Sequence, residues 1–163
     1  MTEALTKAEK PKVKPDRRPL DRRISFLAHR INARLVHLCN PLIAHYNLDL
    51  FSSRIIVAID EKGPMKVGEL VELMALPQST ISHQLKRLER NNYVVRTRSE
   101  TDNRTVVITL TPEGEKMAEI NNRLSDMILE NLNSALDRNE VELLTKLLLR
   151  VFDCLPSEVD IKL

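Results

Sequence analysis

Apolar residues recur at helical spacing along most of this chain, and one stretch of β-branched residues interrupts them. From Leu20 to Tyr46, the positions Ile24, Leu27, Ile31, Leu35, Leu38 and Leu42 follow steps of three and four, which predicts a long amphipathic helix. Pro41 removes a backbone donor within it, so a kink or break is expected near His37 to Asn40. Asn47 suits the left-handed residue that closes the segment. Asp49 is placed to cap a second helix, Leu50 to Glu61, with Ile55, Ile56 and Ile59 inward, and Lys62-Gly63-Pro64 ends it. A short helix from Val67 to Met74 and the turn Ala75-Leu76-Pro77 follow.

In the next stretch, Pro77 to Arg90, Ile81, Leu85 and Leu88 form one apolar stripe. Gln78, Ser79, Ser82, His83, Lys86, Arg87 and Arg90 are left on the outer surface. Such a helix is held by its apolar side and offers outward the amides, hydroxyls and cations that bond base edges and phosphates. Asn91-Asn92 should end it in a left-handed cap. Two β-branched runs, Tyr93 to Arg98 and Thr105 to Leu110, flank a polar turn and predict a hairpin with Arg98 and Arg104 towards its tip. Helix, short turn, polar-faced helix and hairpin make a winged helix-turn-helix. An arginine at the hairpin tip is shaped to enter a narrow minor groove.

Thr111-Pro112-Glu113 is a strong helix start, with an N-cap, a proline at the first helical position and an acid in the first turn. The pattern runs to about Leu136, with Met117, Ile120, Leu124, Met127, Ile128 and Leu132 on one broad stripe. Asp137-Arg138-Asn139-Glu140 resembles a capping box, and it opens a last helix that is apolar over more than half its girth. A monomer of 163 residues would struggle to cover this stripe and that of the first helix, so the terminal helices are expected to dimerise. The fold class is therefore mainly α with a small antiparallel hairpin wing. A basic arm (1–19) and a helical dimerisation region (20–48 with 112–163) surround a winged helix-turn-helix (49–111).

The net charge of +2 hides an uneven distribution. From Leu76 to Arg104, Lys86, Arg87, Arg90, Arg96, Arg98 and Arg104 face only Glu89, Glu100 and Asp102, whereas acids outnumber bases from Pro112 onward. One face is thus suited to a polyanion, and double-stranded DNA is the expected partner. The first nineteen residues carry Lys7, Lys10, Lys12, Lys14, Arg17 and Arg18 and little that is apolar, as a solvated arm or one lying along phosphates would. No secretory pattern opens the chain and no run approaches a membrane span, so a cytoplasmic protein without membrane contact is expected. His29, His37 and His45 are spaced by eight, which turns successive rings about 80° around a helix, so that spacing brings no metal site. There is no Gly-rich phosphate loop, nucleophile elbow or His/Cys cluster; no enzyme, metal or cofactor is expected.

The order of elements, with Ser79-Thr80-Ile81-Ser82, Leu85, Leu88 to Val94, Asp102-Asn103-Arg104 and Leu110 to Gly114, resembles the MarR family of bacterial transcription regulators. The resemblance runs from about Ile24 to Leu155. Ala75 and Asn92 stand where the family usually has glycine, changes the fold should tolerate at about 1 kcal/mol or less. The resemblance implies a homodimeric, sequence-specific regulator, a repressor on a pseudo-palindromic operator. Residues 77–92 would lie in the major groove and the wing, 94–110, in the minor groove. Gln78, Ser79, Ser82 and His83 are expected at base edges, and Lys86, Arg87 and Arg98 at phosphates, with Asp102 orienting Arg104. A small aromatic acid at the junction of the two regions, met by His29, Arg34, His37 or Arg54, would release the DNA. Two alternatives stand beside this reading: a thiol switch at Cys39, activated by a nearby cation, or a winged helix serving protein contacts or DNA architecture.

Overall fold

The structure, a computed structural model, describes residues 18–98 and 106–156. Among these residues six α-helices and three short strands follow one another: α1 (Ile24–Ile43), α2 (Leu50–Lys62), β1 (Met65–Lys66), α3 (Val67–Met74), α4 (Gln78–Arg90), β2 (Val94–Arg98), β3 (Val106–Leu110), α5 (Pro112–Asn133) and α6 (Arg138–Cys154). Pro41 does not break α1. Its missing donor falls in the last turn, after which the chain tightens into a 3-10 turn, Ala44–Tyr46. Asn47 adopts the left-handed conformation (φ 57°), and α2 departs at 75° to the preceding segment.

Side-chain caps set the starts of α2, α5 and α6. Asp49 Oδ1 accepts from the Ser52 N–H at 2.8 Å, and Ser52 Oγ accepts from the Asp49 N–H at 2.9 Å. Thr111 Oγ1 accepts from the Gly114 N–H at 3.0 Å, and the Asp137–Glu140 box is closed from both sides at 2.9 Å. Helix α5 stops at Asn133, three residues before the expected end, and Ser134 Oγ donates to the Asn131 carbonyl ahead of the next cap.

The core lies where α2, α3, α4 and α5 meet the sheet. Ile55, Ile56, Leu70, Ile81, Leu85, Leu88 and Ile108 are fully buried there. The hairpin expected from sequence is a three-stranded sheet of order β1-β3-β2, with Met65 opposite Ile108 and Arg98 opposite Val106. Strand β1 escapes sequence reading because two residues carry no alternation and their partner lies far along the chain.

The terminal helices are different. Among the described residues, the large exposed apolar side chains other than Leu73, Val95 and Val106 lie on α1 and the turn before it, on α5, or on α6 and the residue after it. Helix α6 buries none of its residues in the single chain. Among the described residues no single helix is long and apolar enough to cross a membrane.

Candidate nucleic-acid interface

Helices α3 and α4 meet through Ala75, which takes up the left-handed conformation (φ 50°) that lets the chain turn in three residues. An L-residue is strained there by about 1–2 kcal/mol, the cost of an alanine in a place suited to glycine. At the other end of α4, Asn92 is also left-handed (φ 59°). The Tyr93 N–H then bonds the Leu88 carbonyl at 2.9 Å and turns the chain into β2.

A tight knot holds α4 and the wing to α5. The Tyr93 carbonyl accepts from the Thr111 N–H at 3.1 Å, and Thr111 Oγ1 donates to the Asn92 carbonyl. A Cβ on Gly114 would meet the Tyr93 oxygen at 2.0 Å, so only glycine lets α5 start so close. Tyr93 Oη also donates to the Tyr46 carbonyl at 3.0 Å.

The outer face of α4 is placed as its sequence predicts. Gln78, Ser79, His83 and Lys86 are exposed and Ser82 is half-buried, while Ile81, Gln84, Leu85 and Leu88 face the core. Arg98 is exposed at the end of β2. Asp102 and Arg104 lie outside the described residues.

Arg87 departs from expectation. Its Nη2 lies 2.7 Å from Asp49 Oδ2 and donates to Ser52 Oγ at 2.7 Å, with both charged side chains about three-quarters buried. The expected phosphate contact is thus directed inward, to the cap of α2. Burial alone would push the Asp49 carboxyl up; the Ser52 N–H and the Arg87 guanidinium outweigh it and hold it below its ordinary value. The Leu50 N–H bonds Asn40 Oδ1 on α1 at 2.9 Å, so α1, the start of α2 and α4 are joined in series. Arg96 is paired as well, with Glu89 at 3.1 Å.

The four residues expected around an effector are not brought together. A cavity of about 380 Å³ opens between α2, α3 and α5, lined by Arg54 with Leu35, Ser53, Asn121, Leu124 and Ser125 among others. His29 and Arg34 instead flank a separate shallow concavity along α1, and His37 lines neither. Asn121 is a lining residue outside the expected set, and its sequence signal is a polar position beside the α5 stripe of Met117, Ile120 and Leu124.

Cys39 is buried, 1% exposed, and burial pushes its thiol above the ordinary value against the pull of Arg54. The expected cation-activated thiolate is therefore corrected: the nearby charge is Arg54, and desolvation outweighs it.

A helix pair joined by a tight turn with a polar outward face, a three-stranded wing and long flanking helices define a winged helix-turn-helix transcription regulator of the MarR type. Residues 37–122 match the family profile described as transcriptional regulator SarA/Rot, and the chain belongs to that family. It is 26% identical over 136 residues to the HTH-type transcriptional regulator SarZ of Staphylococcus epidermidis, covering 82% of this chain and 92% of that protein. A probable transcriptional regulator from Pseudomonas aeruginosa superposes with a TM-score of 0.70 at 26% identity, over 82% of this chain and 99% of the other. A mutant MarR from E. coli complexed with operator DNA gives 0.68 at 23% identity, over 78% and 92%. The protein is a DNA-binding transcription regulator and not an enzyme.

Proposed function

We propose that the chain is one subunit of a homodimeric repressor, working in the bacterial cytoplasm, that reads a pseudo-palindromic operator. Residues 49–111 form the reader, and residues 20–48 with 112–163 pair the subunits. Gln78, Ser79, Ser82 and His83 meet base edges in the major groove, and Lys86 and Arg98 meet phosphates. Asp102 orients Arg104 in the flanking minor groove. Arg87 serves by positioning α4 against α2.

One observation carries this reading: the polar face of α4 is exposed on the same chain whose α1 and α6 leave their apolar stripes uncovered. A second copy would remove those stripes from water and set two reading helices about one DNA turn apart. A small aromatic carboxylate seated between α2, α3 and α5, with Arg54 at the mouth, would bias that spacing and lower DNA affinity by linkage.

Selection from a randomised DNA pool with the full chain, followed by footprinting and light scattering, tests the proposal. A dimer enriching an inverted repeat with half-sites about 10 base pairs apart is expected. A monomer, or enrichment of no sequence, overturns it; the latter result would favour an architectural role.

A further inference from the structure

One side chain crosses the joint between α1 and the reader. Asn40 Oδ1 accepts from the Leu50 N–H at 2.9 Å, and among the described residues this is the one side-chain hydrogen bond from α1 to another helix. Position 40 is a poor place for asparagine if it serves the helix alone. Asparagine is a weak helix former, and a residue before proline is pushed away from the helical region. Pro41 also takes one backbone bond from the last turn of α1, which leaves that turn compliant.

Leu50 is the first residue of α2, and its N–H is one of those a helix leaves unpaired. Asp49 caps the Ser52 N–H, not this one. Leu50 is 5% exposed, so water has little access to it. Asn40 supplies the missing acceptor. The same turn of α2 holds Arg87 of α4, through Asp49 Oδ2 and Ser52 Oγ, each at 2.7 Å. The turn after α1 is tied to the reader as well, by Tyr93 Oη on the Tyr46 carbonyl. Turn, α2 and α4 are thus one body, and α1 is the arm that leaves it. Buried Cys39 and Ile43 hold the end of the arm in place, but apolar contact is non-directional. The hydrogen bond gives the arm its direction.

We propose that Asn40 sets the angle between α1 and the reader, and so serves as a positioning residue for operator binding. The inference rests on the dimeric reading above and deepens it: with α1 in the dimerisation region, its angle to α2 decides where each α4 stands. A loose angle disperses the two α4 helices, and ordering them on DNA then costs affinity.

Pulsed electron resonance on the full chain tests the angle. Exposed Ser25 on α1 and Arg90 on α4, each replaced by cysteine, carry the spin labels, and Cys154→Ser removes the exposed native thiol while Cys39 stays buried. Labelled chain diluted in unlabelled chain reports distances within one subunit, paired or not. Ser25 lies about 22 Å along α1 from Asn40, so a rotation of about 10° moves its label by about 4 Å. Asn40→Leu should widen the distribution by about that much, and Asn40→Asp, which keeps the acceptor, should leave it narrow. Leu50→Pro removes the same bond from the donor side. Proline suits the first helical position, and Asp49 before it is extended (φ −127°, ψ 171°). It should widen the distribution with Asn40 intact, and it decides the matter if Asn40→Leu folds poorly. On the unlabelled chain, Asn40→Leu should weaken operator binding about 5- to 10-fold, the worth of one hydrogen bond, with base preference retained and Asn40→Asp close to wild type. A merely structural asparagine would lower Tm and leave distances and affinity as they were. An unchanged distribution in Leu50→Pro, an Asn40→Asp as wide as Asn40→Leu, or a widened distribution with undiminished operator affinity overturns the proposal. A monomer, or enrichment of no sequence, removes the dimeric reading instead, and the distances within one subunit still decide whether Asn40 sets the angle.

Discussion

The inward turn of Arg87 leads to a prediction with a definite size. Asp49 serves two partners at once, capping α2 through Oδ1 at 2.8 Å and holding Arg87 through Oδ2 at 2.7 Å. Loss of an N-cap side chain costs about 1 kcal/mol. The ion pair is about one-quarter exposed on each side. Solvent screening limits it to about 1 kcal/mol, at the upper end of surface pairs. Asp49→Ala should therefore cost about 2–3 kcal/mol, part of it from leaving the guanidinium unpaired, and Asp49→Asn, which can still cap, about 1 kcal/mol. Urea denaturation at fixed protein concentration measures both, as a shift of midpoint with an unchanged slope. A cycle with Arg87→Met should give a coupling of about 1 kcal/mol.

The pair also has a pH signature. The folded Asp49 carboxyl titrates below its ordinary value, so between the folded and unfolded pKa the unfolded chain binds more protons and stability rises with pH. Its contribution is complete above about pH 4, is lost as pH falls through the folded pKa, and should be missing in Asp49→Asn. A coupling indistinguishable from zero, with Arg87→Met reducing the salt dependence of DNA binding instead of stability, would refute the reasoning and return Arg87 to the phosphates.

Further outcomes are expected. Gly114→Ala, whose Cβ would collide with the Tyr93 carbonyl, should cost about 2–3 kcal/mol and lower Tm in thermal unfolding. Ala75→Gly should relieve the left-handed backbone of the turn and stabilise by about 1 kcal/mol, raising Tm by about 2–4 °C. Leu148→Glu on the exposed apolar side of α6 should convert dimer to monomer in light scattering and abolish operator binding, with helix content by circular dichroism retained. Lys86→Ala should weaken binding to all sequences alike and reduce the slope of log affinity against log salt by about one, whereas His83→Ala should change base preference within each half-site.

The parts of the fold legible in sequence are those decided over a few residues. Asp49, Thr111 and Asp137 announce helix starts because a cap needs only a side-chain oxygen and an N–H three residues on. Asn47 and Asn92 mark left-handed turns because few other residues tolerate that backbone. The outward face of α4 follows from the stripe of Ile81, Leu85 and Leu88. What escaped depends on distant partners. Arg87 looks like any outward cation until Asp49, much earlier in the chain, is brought against it. Met65 and Lys66 become a strand only by meeting Ile108 and Val107. The expected effector residues His29, Arg34 and His37 belong to α1, whereas the cavity holding Arg54 draws its walls mainly from α2, α3 and α5.

The knot at Tyr93 has a consequence for the DNA itself. The Asn92 and Tyr93 carbonyls are both held by Thr111, with Gly114 packed against the second, so the end of α4 is pinned directly to the start of α5. In the proposed dimer, a reader mounted this stiffly cannot follow a half-site that moves. One inserted base pair shifts a half-site by about 3.4 Å and turns it by about 35° around the duplex, since a turn of about 34–36 Å holds 10–10.5 pairs. Such a protein would be strict about operator length even where it is lenient about operator letters. Its binding sites in a genome would then be recognised first by their spacers.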